Sequence, residues 1–574
     1  MAAAILAACG GGDDNKGATG DKTGLLAERK DTTKQAVAGS VWQDFALVDV
    51  DHFDNITSRT GAQAHSLFAY SSLFRPKAGT PDKPPSSLNF EGDAIESWEI
   101  APDGLQLTMK LRPKVVLDPR PPTNGRALTT QDIVYTWQAY EAKNIAAGFF
   151  SNNRDPHSPI KSMTATDDKT VVVKLAFPYA PLIALLGEKT YTYCVMPVER
   201  ESGFDAKRET RGSGPFMLTD YQPSTRIEWK RNPNYWDAPR PYLDGVTWTI
   251  LPDYAQQNAQ LRNGTLWTNR TIRQEDILPM KRENPKMVVW KNATLALAAG
   301  GTAGPAVDTF SAKPGSPFLD VRVRRGLSML IDRNLLIRTL LNVDAFEKEG
   351  IAMSYKQHTL LSAADNNFWV DPTDQKAIGD GAKYQVQNKE EAASLLRAAG
   401  TQNLSVPLYV YPLSPLTQPH YEAWAAMAGE GGFFKFTLQP LTPTDWVTKV
   451  HTAAGTGHDG LANSGGTVSV DPDFTAIRHS SWSAFRSTPG PPPYDALLDK
   501  QRMETDPTKR KQLWKDIQAS WANDVTTLNG QPPGIAESLA IAQPFFENFG
   551  AILPLRDVPS METYTYYWYD KSKA

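Results

Sequence analysis

Cysteine is scarce in this chain of 574 residues, which has only Cys9 and Cys194. Two cysteines exclude a disulfide framework and a zinc site built from cysteine. Long apolar runs are missing too, since no stretch approaches the ~20 residues of a membrane-spanning helix. The chain also lacks a large excess of charge of either sign, since 60 basic and 63 acidic residues leave a net charge of −3. This balance argues against a nucleic-acid-binding protein, whose charge is usually basic.

Catalytic motifs are equally scarce. The sequence has no HExxH, GxSxG, CxxC or Walker A pattern. One GxGxxG occurs at residues 455–460, but a dinucleotide-binding loop must follow a strand and open a helix, and this one follows a helix-like stretch. We therefore expect a loop that leads into a strand. The eight histidines show no metal-ligand spacing. The sequence thus predicts no cofactor, no metal site and no enzyme, although a hydrolase with paired carboxylates stays open as an alternative.

What the chain has in quantity is apolar and aromatic material. Hydrophobic residues make up 41% of it, with 43 prolines and 15 tryptophans. This is enough to bury large cores, and the length predicts three to four structural units. Many proline-bounded loops and large aromatic side chains are typical of proteins with recognition surfaces.

The N-terminus resembles the signal sequence of a lipoprotein. Leu6-Ala7-Ala8-Cys9 resembles a bacterial lipobox, in which the cysteine thiol is acylated. Glycine, aspartate, lysine and threonine dominate residues 10–24, a composition typical of a flexible tether. We therefore predict a signal and lipobox remnant at 1–9, a lipid on Cys9 and a tether over 10–38. Cys194 lies in an apolar run, which predicts a buried core residue.

Helical and strand periodicities alternate irregularly along the rest of the chain, which indicates an α/β or mixed fold with several sheets. The clearest patterns are a hairpin at 95–111, a helix at 129–142 capped by Thr129 or Thr130, a strand at 169–175, a hairpin at 213–236, helices at 254–264, 321–341 and 389–400, a strand at 406–411, and helices at 444–453 and 506–524.

Seven of these segments, in order, resemble the family 5 extracellular solute-binding proteins of ABC importers, the peptide- and nickel-binding class. The segments are 94–113, 126–137, 212–221, 231–251, 318–334, 388–400 and 494–518. The most specific are Gly212-SGPFMLTDY-Tyr221, Arg231-NPNYWDAPRPYLDGVTWTIL-Leu251 and Phe318-LDVRVRRGLSMLIDRN-Asn334. The resemblance covers about residues 40 to 530.

The resemblance implies a bilobed periplasmic-binding-protein-like fold of the large type II class, which closes about a hinge on its ligand. It places lobe I at 39–55, 205–295 and 525–574, an extra subdomain of lobe I at 56–204, and lobe II at 296–524. It implies an extracytoplasmic, lipid-anchored monomer that binds a small or oligomeric solute, delivers it to a membrane ABC permease and binds no nucleic acid. A ligand-sensing receptor of the same fold is an alternative.

One departure from the family concerns the ligand. Peptide-binding members of the family resemble one another in having an aspartate three residues before an acidic-Pro pair. This aspartate holds the amino group of the peptide. Aligned on Asp471-Pro472, this chain has Val468 at that position, preceded by small residues at 464–466. The anchor is absent unless the alignment shifts by one gap, so the ligand is a peptide or an oligosaccharide or other polar solute. Asp471 itself is expected to be structural.

Candidate pocket residues follow from the same region. Aromatic rings stack on apolar ligand faces, while amides and hydroxyls form hydrogen bonds with the ligand. Each ring has core packing as its alternative role. The predicted ligand-binding residues are Trp482, Tyr409, Tyr411, Trp424, Asn463 and Ser464.

Overall fold

The computed structural model describes residues 23–57, 67–86, 88–187, 193–292, 307, 309–365, 367–411, 418–463, 471–483, 488, 490, 493–525, 534–554 and 561–574. Cys9, Ser464 and Val468 lie outside these residues, so the predictions made for them stay predictions. Within the described ranges, no helix combines the length and the apolar character that crossing a membrane requires.

The described strands are β1 (Val41–Ala46), β2 (Phe74–Pro76), β3 (Phe90–Gly92), β4 (Ile95–Ile100), β5 (Gln106–Leu111), β6 (Ile160–Ala165), β7 (Thr170–Leu175), β8 (Phe216–Gln222), β9 (Arg226–Arg231), β10 (Gly245–Ile250), β11 (Val288–Lys291), β12 (Thr309–Phe310), β13 (Tyr355–Gln357), β14 (Leu404–Val410), β15 (Phe434–Pro440), β16 (Leu461–Ala462), β17 (Gly534–Ala536), β18 (Leu539–Ala542), β19 (Phe546–Glu547) and β20 (Trp568–Tyr569).

The described α-helices are α1 (Thr130–Lys143), α2 (Leu182–Gly187), α3 (Tyr254–Arg262), α4 (Gln274–Glu283), α5 (Val321–Leu330), α6 (Arg333–Leu340), α7 (Val343–Lys348), α8 (Gln375–Ile378), α9 (Lys389–Ala398), α10 (Gln418–Gly429), α11 (Pro443–Trp446), α12 (Asp473–Ala476), α13 (Tyr494–Met503), α14 (Pro507–Asp524) and α15 (Met561–Tyr564).

The first lobe is built on the sheet β1-β10-β9-β8. Strand β1 runs parallel to β10, and β9 is antiparallel to both of its neighbours. Side chains of β9 alternate between the two faces, so Ile227 and Trp229 enter the core while the charged residues between them face outward. Phe68, near the start of the extra subdomain, packs against Trp229 and Trp248 and so joins that segment to this sheet.

The extra subdomain is built on the antiparallel sheet β4-β5-β7-β6 with α1 against it. Thr129 and Asp132 form a reciprocal capping box at the start of α1, which confirms the predicted cap. Ile133, Trp137 and Tyr140 are buried, as their helical spacing predicts. Cys194 is 1% exposed, which confirms its predicted core position.

The second lobe is built on the sheet β12-β16-β14-β15. Strand β14 runs parallel to β15 and β16, so these three strands end at the same edge of the sheet. Residues 455–460 form a loop that leads into β16, as expected. The predicted helix over 321–341 is instead two helices, α5 and α6, because Asp332 leaves the helical path and caps α6 by accepting from the Leu335 amide.

Two short strand pairs form where the chain passes between the lobes, and each joins a segment to one near the C-terminus. Strand β11 pairs with β18, and β13 pairs with β17. One hydrophobic cluster joins residues of α3, α4, β11 and β18 to residues of α6 and α7. A second cluster joins the extra subdomain to the second lobe, for example through Phe150, Phe474 and Trp514. The lobes therefore share apolar contacts on both sides of the junction.

The prediction of a flexible tether over residues 10–38 is wrong for its second part. Leu25 and Leu26 pack against a hydrophobic cluster of the body, and the Ala27 amide donates to the Val289 carbonyl at 2.7 Å. Arg29 and Thr32 bond to residues 546–549. Composition failed here because a few apolar and hydrogen-bonding side chains are enough to hold an extended segment on a folded surface.

Candidate functional site

A cavity of about 260 Å³ lies between the extra subdomain and the second lobe. Phe149, Arg154 and Asp155 line it from the extra subdomain, and Trp482 and Arg502 line it from the second lobe. A larger groove of about 510 Å³ is lined by residues of α13 and α14 and the turn between them, all in the second lobe. Ligand sites of binding proteins lie where two lobes meet, so we take the smaller cavity as the candidate site.

Trp482, a predicted pocket residue, lies in the wall of this cavity. Its indole stacks on the imidazole of His157, with ring centroids 4.4 Å apart and planes inclined by 10°. The Arg502 guanidinium lies 5.0 Å from the indole centroid. Within the described residues the indole Nε1 is buried and has no hydrogen-bond partner. A stacking surface and a donor therefore meet at one end of the cavity.

Arg502 links the two sides of the cavity. Its Nη1 donates to the His157 carbonyl at 2.8 Å, and its own carbonyl accepts from the Ala180 amide at 2.7 Å. Its Nε donates to Asp473 Oδ2 at 3.2 Å. Burial lowers the pKa of Arg502, but Asp473, Tyr179 and Asp499 together more than offset this, so the net pKa is raised. Arg502 therefore stays charged although its side chain is only 4% exposed.

Asp473 is the acceptor behind Arg502. It accepts from the Tyr179 hydroxyl at 2.6 Å and from Gln501 Nε2 at 2.6 Å, in addition to Arg502. Burial, followed by the nearby Asp473 charge, raises the pKa of Tyr179 well above its usual range. The phenol is therefore a permanent donor from the extra subdomain to the second lobe. A buried carboxylate needs several donors of this kind to stay ionised.

Asp471 has the structural role expected for it. Its two carboxylate oxygens accept from Arg510 Nη1 at 2.8 Å and Nη2 at 2.7 Å, a bidentate pair inside the second lobe. Asp471 Oδ1 also accepts from the Asp473 amide at 3.0 Å. The acidic-Pro turn thus fixes the loop from which Asp473 reaches the junction.

Arg154 and Asp155 supply charge of both signs on the extra-subdomain side. Arg154 Nη1 donates to the Glu141 carbonyl at 2.9 Å near the end of α1, and Arg154 forms no ion pair with any described residue. Asp155 Oδ1 accepts from the His157 amide at 2.9 Å and lies 3.1 Å from His157 Nδ1. The cavity lining thus carries two arginines and one aspartate, and Asp473, which is buried behind Arg502, makes the formal charges of the site equal in number, which suits neutral or zwitterionic solutes.

Three other predicted pocket residues come together at the carboxyl edge of the second-lobe sheet. The Asn463 amide donates to the Tyr409 carbonyl at 2.9 Å, and Asn463 Nδ2 donates to the Tyr421 hydroxyl at 2.8 Å. Tyr411 packs on Trp446 with centroids 5.0 Å apart, and Trp446 Nε1 donates to the Asn463 carbonyl at 2.7 Å. This edge is where open α/β sheets usually bind ligands.

A short helical segment joins this edge to the cavity. Helix α11 ends at Trp446 and continues as a π-helical turn over Val447–His451, in place of the α-helix predicted through 453. Thr452, the next residue, lines the cavity. At about 1.5 Å of rise per residue, the two places lie about 9 Å apart along this segment. π-helical turns inside helices are frequent at functional sites.

Trp424 lies elsewhere. It is 0% exposed and packs edge-on against Phe436 with centroids 5.2 Å apart, in the core between α10 and β15. Its position fits core packing, the alternative recognised for every predicted ring. Sequence analysis missed His157, Arg154, Asp155, Arg502 and Trp446. No motif distinguishes these residues. Trp446 is, however, an aromatic residue of the same region, and that is the property by which the predicted rings were chosen.

Comparison with known proteins fits this architecture. Residues 89–485 match the family model described as bacterial extracellular solute-binding proteins, family 5 middle. The dipeptide-binding protein of Escherichia coli K12 is 24% identical over 484 residues, covering 80% of this chain and 83% of that protein.

Solved structures agree in fold. The periplasmic binding protein of Helicobacter pylori in complex with a peptide has a TM-score of 0.69 at 18% identity, covering 94% of this chain and 99% of that one. An A. tumefaciens R10 binding protein in complex with agropinic acid also has a TM-score of 0.69 at 18% identity, covering 93% and 99%. This chain therefore shares the fold of these two periplasmic binding proteins. The chain belongs to the bacterial extracellular solute-binding proteins of family 5.

Proposed function

We propose that this protein is anchored to the membrane by a lipid on Cys9, captures a small polar solute in the cavity between its lobes, and delivers it to an ABC permease as a monomer. Capture needs no bond to be made or broken. The observation that carries the proposal is the cavity itself, because its wall is shared between two lobes and lined by stacking, donor and acceptor groups. A solute held there favours the closed arrangement of the lobes by its contacts to both.

The size and charge of the cavity support a small, neutral or zwitterionic ligand. About 260 Å³ lies just below the usual range of about 300–1,000 Å³ for ligand pockets, which suits a small solute. A longer solute would extend along the 446–452 segment toward Tyr411 and Trp446. The relatives bind different solutes, a dipeptide in one name and agropinic acid in another. Since Val468 stands where peptide-binding members have an acid, we propose a ligand whose amino group, if it has one, is held by Asp155.

Native mass spectrometry of the gently purified protein tests this proposal. A bound solute that is released on denaturation with its mass unchanged supports capture without chemistry. Recovery of a hydrolysis product instead of the intact solute would favour the hydrolase alternative. A released peptide would place its amino group at Asp155 or at a shifted alignment of residues 464–470, and Asp155→Asn separates the two because only the first loses the peptide.

The lipid anchor has its own test, with the second cysteine as control. In cells that acylate lipoproteins, Cys9→Ala should move the protein from the membrane fraction to the soluble fraction. Cys194→Ala should leave it in the membrane fraction, because Cys194 is buried in the folded body. A Cys9→Ala protein that stays with the membrane would refute the anchor.

A further inference from the structure

Residues 25–35, which we call the N-terminal strap, run across the first lobe instead of leading freely away from it. The strap starts on apolar contacts. Leu25 and Leu26 pack against the cluster that contains Val289 and Ile541, and the Ala27 amide donates to the Val289 carbonyl at 2.7 Å. The first part of the strap therefore lies along the edge of β11.

Arg29 fastens the middle of the strap. Its Nε donates to the Phe549 carbonyl at 2.9 Å and its Nη2 to the Phe546 carbonyl at 2.9 Å. The guanidinium also lies 5.0 Å from the centroid of Trp290. Burial lowers the pKa of Arg29, and Glu547 acts in the opposite direction. A surface arginine usually stays hydrated, whereas Arg29 has exchanged water for bonds to two backbone carbonyls. Such contacts fix the position of the strap on the first lobe.

Thr32 fastens the last part of the strap. Its amide donates to Asn548 Oδ1 at 2.8 Å, and its hydroxyl accepts from Trp568 Nε1 at 3.0 Å. Asn548 Nδ2 donates in turn to Thr33 Oγ1 at 3.1 Å. The strap is therefore bonded to β11 on one side and to the C-terminal residues 546–568 on the other, all in the first lobe.

We propose that the strap fixes the place where the membrane anchor leaves the protein, at the first-lobe surface formed by β11 and residues 546–568, so that this surface is the part of the protein held nearest the lipid. This inference rests on the lipid anchor of the proposed function. The hydrogen bonds of Ala27, Arg29 and Thr32 supply the attachment, and all of them end on residues of the first lobe. The cluster that Leu25 and Leu26 contact also contains second-lobe residues, Ile337 and Phe346 among them.

Docking also shortens the reach of the anchor. Residues 10–38 number 29, whereas residues 10–24, which precede the strap, number 15. A Gly-rich chain of these lengths has a root-mean-square span of about 30 Å and about 20 Å. A shorter linker confines the protein to a thinner layer above the bilayer and raises its effective concentration at a membrane partner, by about threefold for this change in length.

Hydrogen exchange on the full chain tests the docking. The amides of Ala27 and Thr32 should exchange at least tenfold more slowly in the wild type than in Arg29→Ala. Lys30→Ala is the matched control, because Lys30 is the neighbouring cation with a side chain 72% exposed, and it should leave both rates unchanged. Wild-type exchange at Ala27 and Thr32 as fast as in an unstructured peptide would overturn the proposal.

Energy transfer to vesicles tests the orientation. Lys230→Cys on the exposed side of β9 carries a donor dye, and the lipid-modified protein sits on phosphatidylethanolamine–phosphatidylglycerol vesicles with an acceptor lipid. Undocking by Arg29→Ala with Thr32→Val should lengthen the mean distance by about 10 Å. An unchanged distance would overturn the inference. Slow exchange at Ala27 and Thr32 in a protein that does not bind vesicles would refute the lipid anchor while docking stands.

Discussion

The imidazole of His157 lies flat on the indole of Trp482, with ring centroids 4.4 Å apart and planes inclined by 10°. One ring belongs to the extra subdomain and the other to the second lobe. Trp482 lines the cavity, and so does Arg502, which donates to the carbonyl of the same histidine. Two residues of the cavity wall therefore also join the extra subdomain to the second lobe.

Trp482→Ala should weaken retention of the solute identified by native mass spectrometry at least tenfold, because the variant loses the stacking face of the cavity. The dissociation constant from calorimetry measures the effect. Trp98→Ala is the control, since Trp98 is 37% exposed on β4 and lines no part of the cavity. A folded Trp482→Ala protein with wild-type affinity would place the ligand elsewhere.

Tyr179→Phe should lower the free energy of unfolding by about 1.5–3 kcal/mol. The hydroxyl donates at 2.6 Å to a buried carboxylate, and hydrogen bonds to charged groups contribute about this much. Urea unfolding measures the loss. Tyr135→Phe also removes a hydroxyl bonded to a carboxylate, Glu201, but at an exposed site, so we expect at most about 0.5 kcal/mol there. Equal effects in the two variants would contradict the role of burial.

Stability should fall as the pH drops from 6.5 to 4. Burial lowers the pKa of His358 to about 3. Burial is also the largest cause that lowers the pKa of His458 and of His479, each to about 4. The unfolded chain, with histidine near 6.5, binds more protons in this window, so protonation favours unfolding.

Asp365 acts in the opposite direction, because burial raises its pKa to about 6 and the folded state then holds a proton that the unfolded state has lost. For these four groups taken alone, the net difference is two protons, which corresponds to at most about 2.7 kcal/mol per pH unit between pH 6 and pH 4. Urea unfolding at pH 7.5, 6, 5 and 4 measures the slope. His458→Gln should reduce it by up to about 1.4 kcal/mol per pH unit, and a flat profile for the wild type would refute the argument.

Gly212→Ala should destabilise the first lobe by about 2 kcal/mol or more. An added Cβ would lie 2.0 Å from the Ala69 carbonyl oxygen and 2.4 Å from Tyr70 Cδ1, so the backbone would have to move. Gly148→Ala is the control, because a Cβ there meets no described atom within 4 Å. The midpoints of thermal unfolding compare the two. If the Gly212→Ala protein is as stable as the Gly148→Ala protein, the backbone around Gly212 can move without loss of stability, which contradicts the prediction.

The sequence by itself determined the family, the alternation of the strands and the ends of most helices. These features depend on local chemistry, and the examples are clear. Asp506 caps α14 through its own side chain, Pro507 opens the same helix, and Gly264 and Gly400 take positive φ angles just after helices. The predictions failed at the docked strap, at the π-helical turn before Thr452, and at Asp332, whose cap divides the helix predicted over 321–341.

Only the tertiary structure decided what surrounds the cavity. Arg502 and His157 are 345 residues apart in the chain, and Tyr179 and Asp473 are 294 apart. No periodicity or spacing connects such pairs, because they meet only after three separate sheets have formed and packed. The same holds for Trp482 and Trp424, two tryptophans that the sequence treats alike. One lines a shared wall and the other fills a core, since burial is a property of the assembled lobes and not of the residue.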